Sequence, residues 1–303
     1  MSLSNIEQYL QENMTGKYLK NAQMSGYTSF KIGGPADLLA LPTTKEELAG
    51  LLQCVRKEKE PLTIMGNGSN LLVRDKGIRG LVIKLGNGLK NMTWDGTILT
   101  AEAGVSLAAV SQKAASLDLT GLEFAVGIPG SLGGAVFMNA GAYNGEMKNV
   151  VESILVLNEN GKLLSYNKSK LNFGYRHSSL QGTTDIVVEV KLTMLKGNPA
   201  AIKADMDDFT QRRITKQPID LPSAGSMFKR PKGYYAAALI DEAGLRGYRV
   251  GDAQVSEKHT GFVVNIGKAT AQDVLQLIKD VQDKVFAHCG VRLEPEVRII
   301  GEA

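Results

Sequence analysis

The segment Gly127–Tyr143, GIPGSLGGAVFMNAGAY, limits what this chain can fold into more than any other part of it. Glycine, proline and small residues dominate it, and a single short apolar run interrupts them. Such a stretch cannot fill a core alone. Its glycines permit left-handed backbone and close approach to something flat or charged. Taken by itself the pattern fits a turn-rich barrel corner or a β-bulge as well as a ligand cradle. A second segment, GNGSN at Gly66–Asn70, has the same chemistry and also follows a strand-like run. Backbone amides of a glycine loop at that position suit an anion such as a pyrophosphate.

The size and balance of the chain narrow the context. Its 303 residues, 43% hydrophobic, suffice for at least one sizeable core and suggest two domains or three lobes. Lysine and arginine number 35 against 31 aspartates and glutamates, a mild formal excess of +4 spread along the sequence, so no nucleic-acid-binding tract appears. The N-terminal residues lack a basic stretch followed by an apolar one, and no apolar run approaches the roughly 18 residues needed to span a bilayer. The expectation is a soluble cytoplasmic protein without a membrane partner, a monomer or weak homo-oligomer. Cys54 and Cys289 lie far apart in helix-like segments with no CxxC or metal-type partner, and both read as buried thiols of a reducing compartment.

Along the chain, residues 1 to 24 read as a short helix and a polar connector, followed by a strand at Asp37–Leu41. Thr44 and Glu47 match a capping box, and Leu48, Leu51, Leu52 and Val55 recur at i, i+3, i+4 and i+7, the apolar face of a helix. A strand at Leu62–Met65 completes a small βαβ unit that delivers GNGSN. Further strands are expected at Leu81–Leu85, Thr97–Glu102, Val150–Leu157, Lys162–Tyr166 and Asp185–Leu195, the last three mainly antiparallel, with a helix from Ser106 to about Ser116. A compositional change at Lys196–Pro199 suggests a boundary. Beyond it the pattern predicts helices at Ala200–Arg213 and Ala236–Ala243, a buried strand at Phe262–Ile266, and a helix over Thr270–Gly290 with a capping pair and a terminal glycine. VRLEPEVRII alternates as a closing strand.

Several familiar sites are absent. The loop at Gly66 begins like a dinucleotide fingerprint but has Leu71 where GxGxxG requires glycine, which disfavours a Rossmann fold. Gly261–Lys268 resembles a P-loop, yet five residues separate its glycines and Ala269 stands where a hydroxyl would hold magnesium. His177, His259 and His288 have no zinc spacing, so no metal is expected. A ligand of phosphate and flat ring, held without a Rossmann fingerprint, remains; redox chemistry there needs a cofactor, because side chains do not carry hydrides.

Together, YTSFKIGGPA, GNGSNLL, GIPGSLGGAVFMNAGAY, YRHS, SAGSMFKRP and LEPEVRIIG, in this order from about residue 26 to residue 301, resemble the UDP-N-acetylenolpyruvoylglucosamine reductase family. The resemblance implies an α+β architecture: an FAD-binding fold of the vanillyl-alcohol-oxidase (PCMH) type in two lobes, with a C-terminal α+β substrate lobe. The FAD-binding domain would span 1–197, as lobes of about 1–80 and 81–197, with the last strand, 293–301, returning to the first; the substrate-binding domain would span 198–303. It also implies FAD as cofactor, NADPH as co-substrate, and reduction of UDP-N-acetylglucosamine enolpyruvate to UDP-N-acetylmuramate in peptidoglycan precursor synthesis.

Carried over by motif, Gly66, Asn67, Gly68, Ser69, Asn70, Gly127, Pro129, Gly130, Ser131, Gly133, Asn139 and Gly141 would hold FAD. Ser226 would protonate the substrate, while Arg176 and Glu296 would sit at its carboxylate; Tyr175, Lys216, Lys229, Arg230 and His259 would bind the rest of it. A serine hydroxyl is too weak an acid for most tasks at neutral pH, but an enolate carbon is basic enough to take its proton. Basic side chains suit a diphosphate. Tyr175 and Tyr143 could pack on sugar or flavin, although an aromatic in apolar surroundings is more often core. The interval from Arg176 to Ser226 is shorter than in relatives that close a tyrosine-bearing loop over the diphosphate, so this chain resembles the subtype without that loop. Two other readings stay open: a flavin oxidase or dehydrogenase of the same fold acting on an alcohol or lactone, and a nucleotide-binding regulator in which Ser226 is only a loop residue.

Overall fold

A computed structural model describes residues 2–303. Its backbone gathers into two units, one made of the residues up to Lys20 with Leu38–Asn67 and Gly80–Gln211, the other of Asn21–Asp37, Gly68–Arg79 and Arg212–Ala303.

The first unit opens with helix α1 (Ser2–Asn13), which buries Ile6 and Leu10 beside the Leu48, Leu51, Leu52 and Val55 stripe of α2 (Lys45–Glu58). Thr44 caps α2, its hydroxyl accepting the Glu47 N–H at 3.1 Å, but the Glu47 carboxylate turns away to Thr15, Gly16 and Thr43, so the expected capping box is only half formed. A four-stranded sheet runs in the order Lys17–Gln23, Pro35–Leu41, Ile78–Lys84, Leu62–Met65. Leu62–Met65 is parallel to Ile78–Lys84, with Met65 opposite Lys84, so the partner of the strand that delivers Gly66 is not the strand before α2. A second sheet of five antiparallel strands, in the order Leu163–Asn167, Val151–Leu157, Ile186–Thr193, Ile98–Glu102, Met92–Asp95, covers a core built with α3 (Leu107–Ser116) and α4 (Leu132–Phe137). Helix α4 lies inside the glycine-rich stretch that the sequence reads only as loop. Helix α5 (Pro199–Lys216) buries Ile202 and exposes most of its length.

The second unit has a four-stranded antiparallel sheet, Ser223–Ser226, Phe262–Asn265, Ala253–Val255, Arg249–Val250, packed by α6 (Ala236–Glu242) and α7 (Ala271–Cys289). Helix α7 carries the capping box of Thr270 and Asp273 and ends on Gly290 at φ 73°, where a left-handed residue is needed. Asp75 adds to its start, its two carboxylate oxygens accepting the Ala271 and Gln272 N–H groups at 2.8 and 2.9 Å. The closing strand is shorter than expected. Only Arg298–Ile300 is regular, parallel to Leu71–Val73, while Pro295, which has no N–H, forms an isolated bridge to Phe228. Cys289 is exposed and Cys54 half-buried, which corrects the expectation of two buried thiols.

Candidate active site

In the first unit the two glycine loops meet. A methyl group on Gly66 would lie 2.2 Å from Ser131 Oγ, so only glycine lets the strand end approach the second loop. The second loop is pinned to the segment before α3: Leu107 donates to the Gly130 carbonyl at 2.9 Å, Leu132 to Val105 at 2.8 Å and Gly133 to Ala103 at 2.9 Å. Ser131 is buried and caps α4 through Gly134 N–H, whereas Pro129 is exposed on the outer bend between half-buried Gly127 and Gly130. Following Gly66, the amides of Asn67, Gly68, Ser69 and Asn70 find no protein acceptor among the described residues. Consecutive N–H groups of that kind form a nest for an anion.

Asn139 fixes the far end of the stretch. It is fully buried at φ 44°; its amide donates to Glu146 Oε2 at 2.7 Å and to the Gly174 carbonyl at 2.9 Å, and its carbonyl oxygen accepts Lys148 N–H at 2.9 Å. Both Asn139 donors are thus taken within the protein, so toward a cofactor it would act through the loop it holds. Gly141 begins a hairpin with Gly145–Glu146 whose two turn residues, Tyr143 and Asn144, are both left-handed, the pattern of a type I′ turn. Tyr143 stacks on Phe209 of α5 with centroids 4.4 Å apart, which gives its ring a protein partner.

Arg176 reaches this hairpin, its guanidinium donating to the Gly141 carbonyl at 3.0 Å, while its own carbonyl accepts from Gln181 Nε2 at 3.0 Å. Its backbone is left-handed at φ 52°, an uncommon state for arginine that a tight bridge between Gly174 and His177 imposes. Tyr175, 56% exposed, lies with its ring 5.3 Å from the Arg176 guanidinium carbon.

In the second unit Ser226 ends its strand beside a bulge: the register with Phe262–Asn265 shifts between Ser223 and Ser226, and Gly225 is left-handed at φ 78°. The bulge turns the exposed Ser226 out of the ladder. Glu296, half-buried, donates its N–H to the Met227 carbonyl at 2.8 Å, which sets it one residue across from Ser226. Asn70 joins them, donating from its side chain to the Glu296 carbonyl at 3.3 Å and accepting Arg298 N–H at 3.0 Å. Three motifs remote in sequence are therefore stitched together by main-chain bonds.

The basic residues divide. Lys229 pairs with exposed Glu294 at 3.3 Å, Arg230 lies over the Tyr235 ring at 4.1 Å, and Lys216 is exposed at the end of α5. His259 is different in kind. Burial, aided by Arg246 and Lys216 and opposed by a hydrogen bond of its own backbone, holds its imidazole below the usual histidine range. Nδ1 accepts Gly261 N–H at 3.1 Å, which leaves the proton on Nε2 and makes the ring a neutral donor rather than a cation. Lys84 and Gly86, at the end of the strand beside Gly66, were not singled out by sequence. The signal was a lysine inside the apolar run LVIKLG.

These loops fit an FAD dinucleotide: a run of unpaired amides follows directly on a glycine that permits close approach. Among the described residues no group of three histidine, cysteine, aspartate or glutamate side chains could hold a metal. The family model of an FAD-binding domain matches residues 36–167, and the model of the UDP-N-acetylenolpyruvoylglucosamine reductase C-terminal domain matches residues 217–300. Fold and site thus define an FAD-dependent oxidoreductase with the vanillyl-alcohol-oxidase type of flavin domain.

Relatives specify which one. The UDP-N-acetylenolpyruvoylglucosamine reductase of Caldanaerobacter subterraneus subsp. tengcongensis is 52% identical over 287 residues, 95% of each chain, and that of Latilactobacillus sakei 48% identical over 300 residues, 99% of each. The crystal structure of the Thermus caldophilus enzyme superposes with a TM-score of 0.80 at 38% identity, covering 94% of this chain and 99% of that one. The chain belongs to the UDP-N-acetylenolpyruvoylglucosamine reductase family, whose FAD-dependent reaction serves peptidoglycan precursor synthesis.

Proposed function

We propose that the chain reduces UDP-N-acetylglucosamine enolpyruvate to UDP-N-acetylmuramate with NADPH, and that Ser226 delivers the proton. Residues 1–197 hold FAD in this reading, and residues 198–303 carry the sugar nucleotide. Bound FAD supplies the hydride chemistry, accepting reducing equivalents from NADPH for the enolpyruvyl β-carbon. The nest at Asn67–Asn70 and the Gly127–Gly133 loop bind it.

What supports the serine is its setting: an exposed hydroxyl on a bulge, next in sequence to Met227, whose carbonyl accepts the Glu296 N–H. As the β-carbon gains hydride the α-carbon becomes enolate-like, and the Ser226 Oγ proton passes to that carbon. The Arg176 guanidinium meets the substrate carboxylate, where negative charge grows, and so favours the transition state over the ground state. Glu296 is assigned to the substrate carboxylate as well. Lys216, Lys229 and Arg230 serve the diphosphate, with His259 as a neutral donor and Tyr175 beside the sugar.

Anaerobic half-reactions test this reading. Ser226→Ala is expected to leave reduction of the bound flavin by NADPH nearly intact and to slow its reoxidation by the enolpyruvyl nucleotide about 10²- to 10⁴-fold. Equal losses in both halves would remove Ser226 as proton donor.

A further inference from the structure

We propose that Lys84 is a binding residue for the cofactor's diphosphate, supplying a buried positive charge at the amide nest that begins at Asn67. The inference rests on the FAD-binding character of the first unit and adds a residue that the glycine loops do not provide.

Lys84 ends the strand Ile78–Lys84 and is 8% exposed, a depth at which lysine is rarely found without a counter-charge. Within the described residues it forms no ion pair and no side-chain hydrogen bond; the charge it does feel is that of Lys90, of the same sign. Burial and Lys90 both act to lower its pKa, so the ammonium is held at a cost that nothing in the protein offsets.

Its position names the group that would offset it. Lys84 is the register partner of Met65, so its strand and the strand that delivers Gly66 release their chains at the same edge. A methyl group on Gly86 would stand 2.1 Å from Asn67 Oδ1 and 3.2 Å from Lys84 Nζ, which brings the ammonium to the first residue of the nest. A buried cation beside amides that have no acceptor in the protein is a site for a dianionic phosphate group. The apolar dimethylbenzene edge of a flavin would satisfy neither the charge nor the run of donors.

The test compares full-length protein stripped of flavin with its Lys84→Met and Lys84→Gln variants, measuring affinity for FAD and for riboflavin by quenching of flavin fluorescence. FAD affinity is expected to fall about 10- to 100-fold in both variants, with riboflavin, which has no phosphate, changed less than about 2-fold. Inorganic pyrophosphate is expected to raise the melting temperature of the stripped wild-type protein and not of the variants. The stripped Lys84→Met protein should melt no lower than stripped wild type, since it loses an uncompensated buried charge. Parallel losses for FAD and riboflavin, or a variant that melts lower and binds pyrophosphate normally, would make Lys84 a packing residue and overturn the assignment. Wild-type protein that fails to bind FAD at all would instead refute the cofactor reading itself.

Discussion

Asn139 illustrates how one side chain holds a glycine-rich segment in shape. Its side chain makes three hydrogen bonds, two donated and one accepted, all with partners within the first unit, and its left-handed φ of 44° is one that asparagine tolerates better than most residues. Alanine there would leave the Lys148 N–H without its acceptor, remove one of the two hydrogen bonds to the Gly174 carbonyl, and add backbone strain. We expect Asn139→Ala to destabilise the protein by about 2–4 kcal/mol in urea titrations, with reduced flavin affinity as a secondary effect. A change below about 0.5 kcal/mol would mean that the stretch is held by its other contacts. Sequence could flag Asn139 as part of a loop motif, but not that both donors are used internally; those partners lie 7 and 35 positions away. The same limit applies to His259, whose type suggested a cation and whose burial makes it neutral.

Elements were legible where local chemistry alone decides them. The α7 cap, Thr270 with Asp273, and its Gly290 stop are written within one turn of each end, and the structure realises both. Thr44 and Glu47 of α2 look identical in sequence, yet Glu47 is drawn to Thr15, which the fold brings alongside from outside the helix. Burial pushes the Glu47 carboxyl up, but hydrogen bonds from Thr15 and Thr43 outweigh it and bring the pKa down to about 2. The folded state therefore binds this proton more weakly than the unfolded chain. Its stabilisation is full above the ordinary glutamate pKa of about 4.3 and is lost as pH falls toward about 2. Glu47→Gln is expected to cost on the order of 2 kcal/mol at pH 7, allowing for partial solvent exposure, and the gap from wild type should close between about pH 4.5 and 2. A gap independent of pH would assign the loss to packing. Helix α4 and the strand Lys17–Gln23 were not legible. Six residues with two glycines show no period, and the strand's faces are nearly all exposed, so it lacks alternation.

At the scale of the whole chain, the second unit is gathered from three separate segments, which no local run of sequence announces. Its core makes the consequence physical. Phe30 and Leu72 are fully buried and Ile32 is 2% exposed, all packed in one cluster with Leu239, Val274, Leu277 and Val281. Asn265, buried in the same unit, donates to the Phe30 carbonyl at 3.3 Å, and Ser29 Oγ donates to Ser223 at 2.6 Å. Each of the three apolar side chains is worth about 1.5–3 kcal/mol when buried, so together they approach the about 5–15 kcal/mol that stabilises a whole domain. Loss of Asp75 would also leave two amides at the start of α7 uncapped. A fragment of residues 212–303 expressed alone is thus expected to lack a cooperative thermal transition and to show collapsed amide dispersion by NMR. Extending it to residue 198 should not rescue it, because α5 adds no replacement for Phe30, Ile32 or Leu72. Linking residues 21–37 and 68–79 to the fragment should restore a transition, since these segments contain every missing member of that core. Cooperative unfolding of the bare fragment would mean that α6, α7 and their sheet suffice, and that the earlier segments are attached to a domain already folded without them.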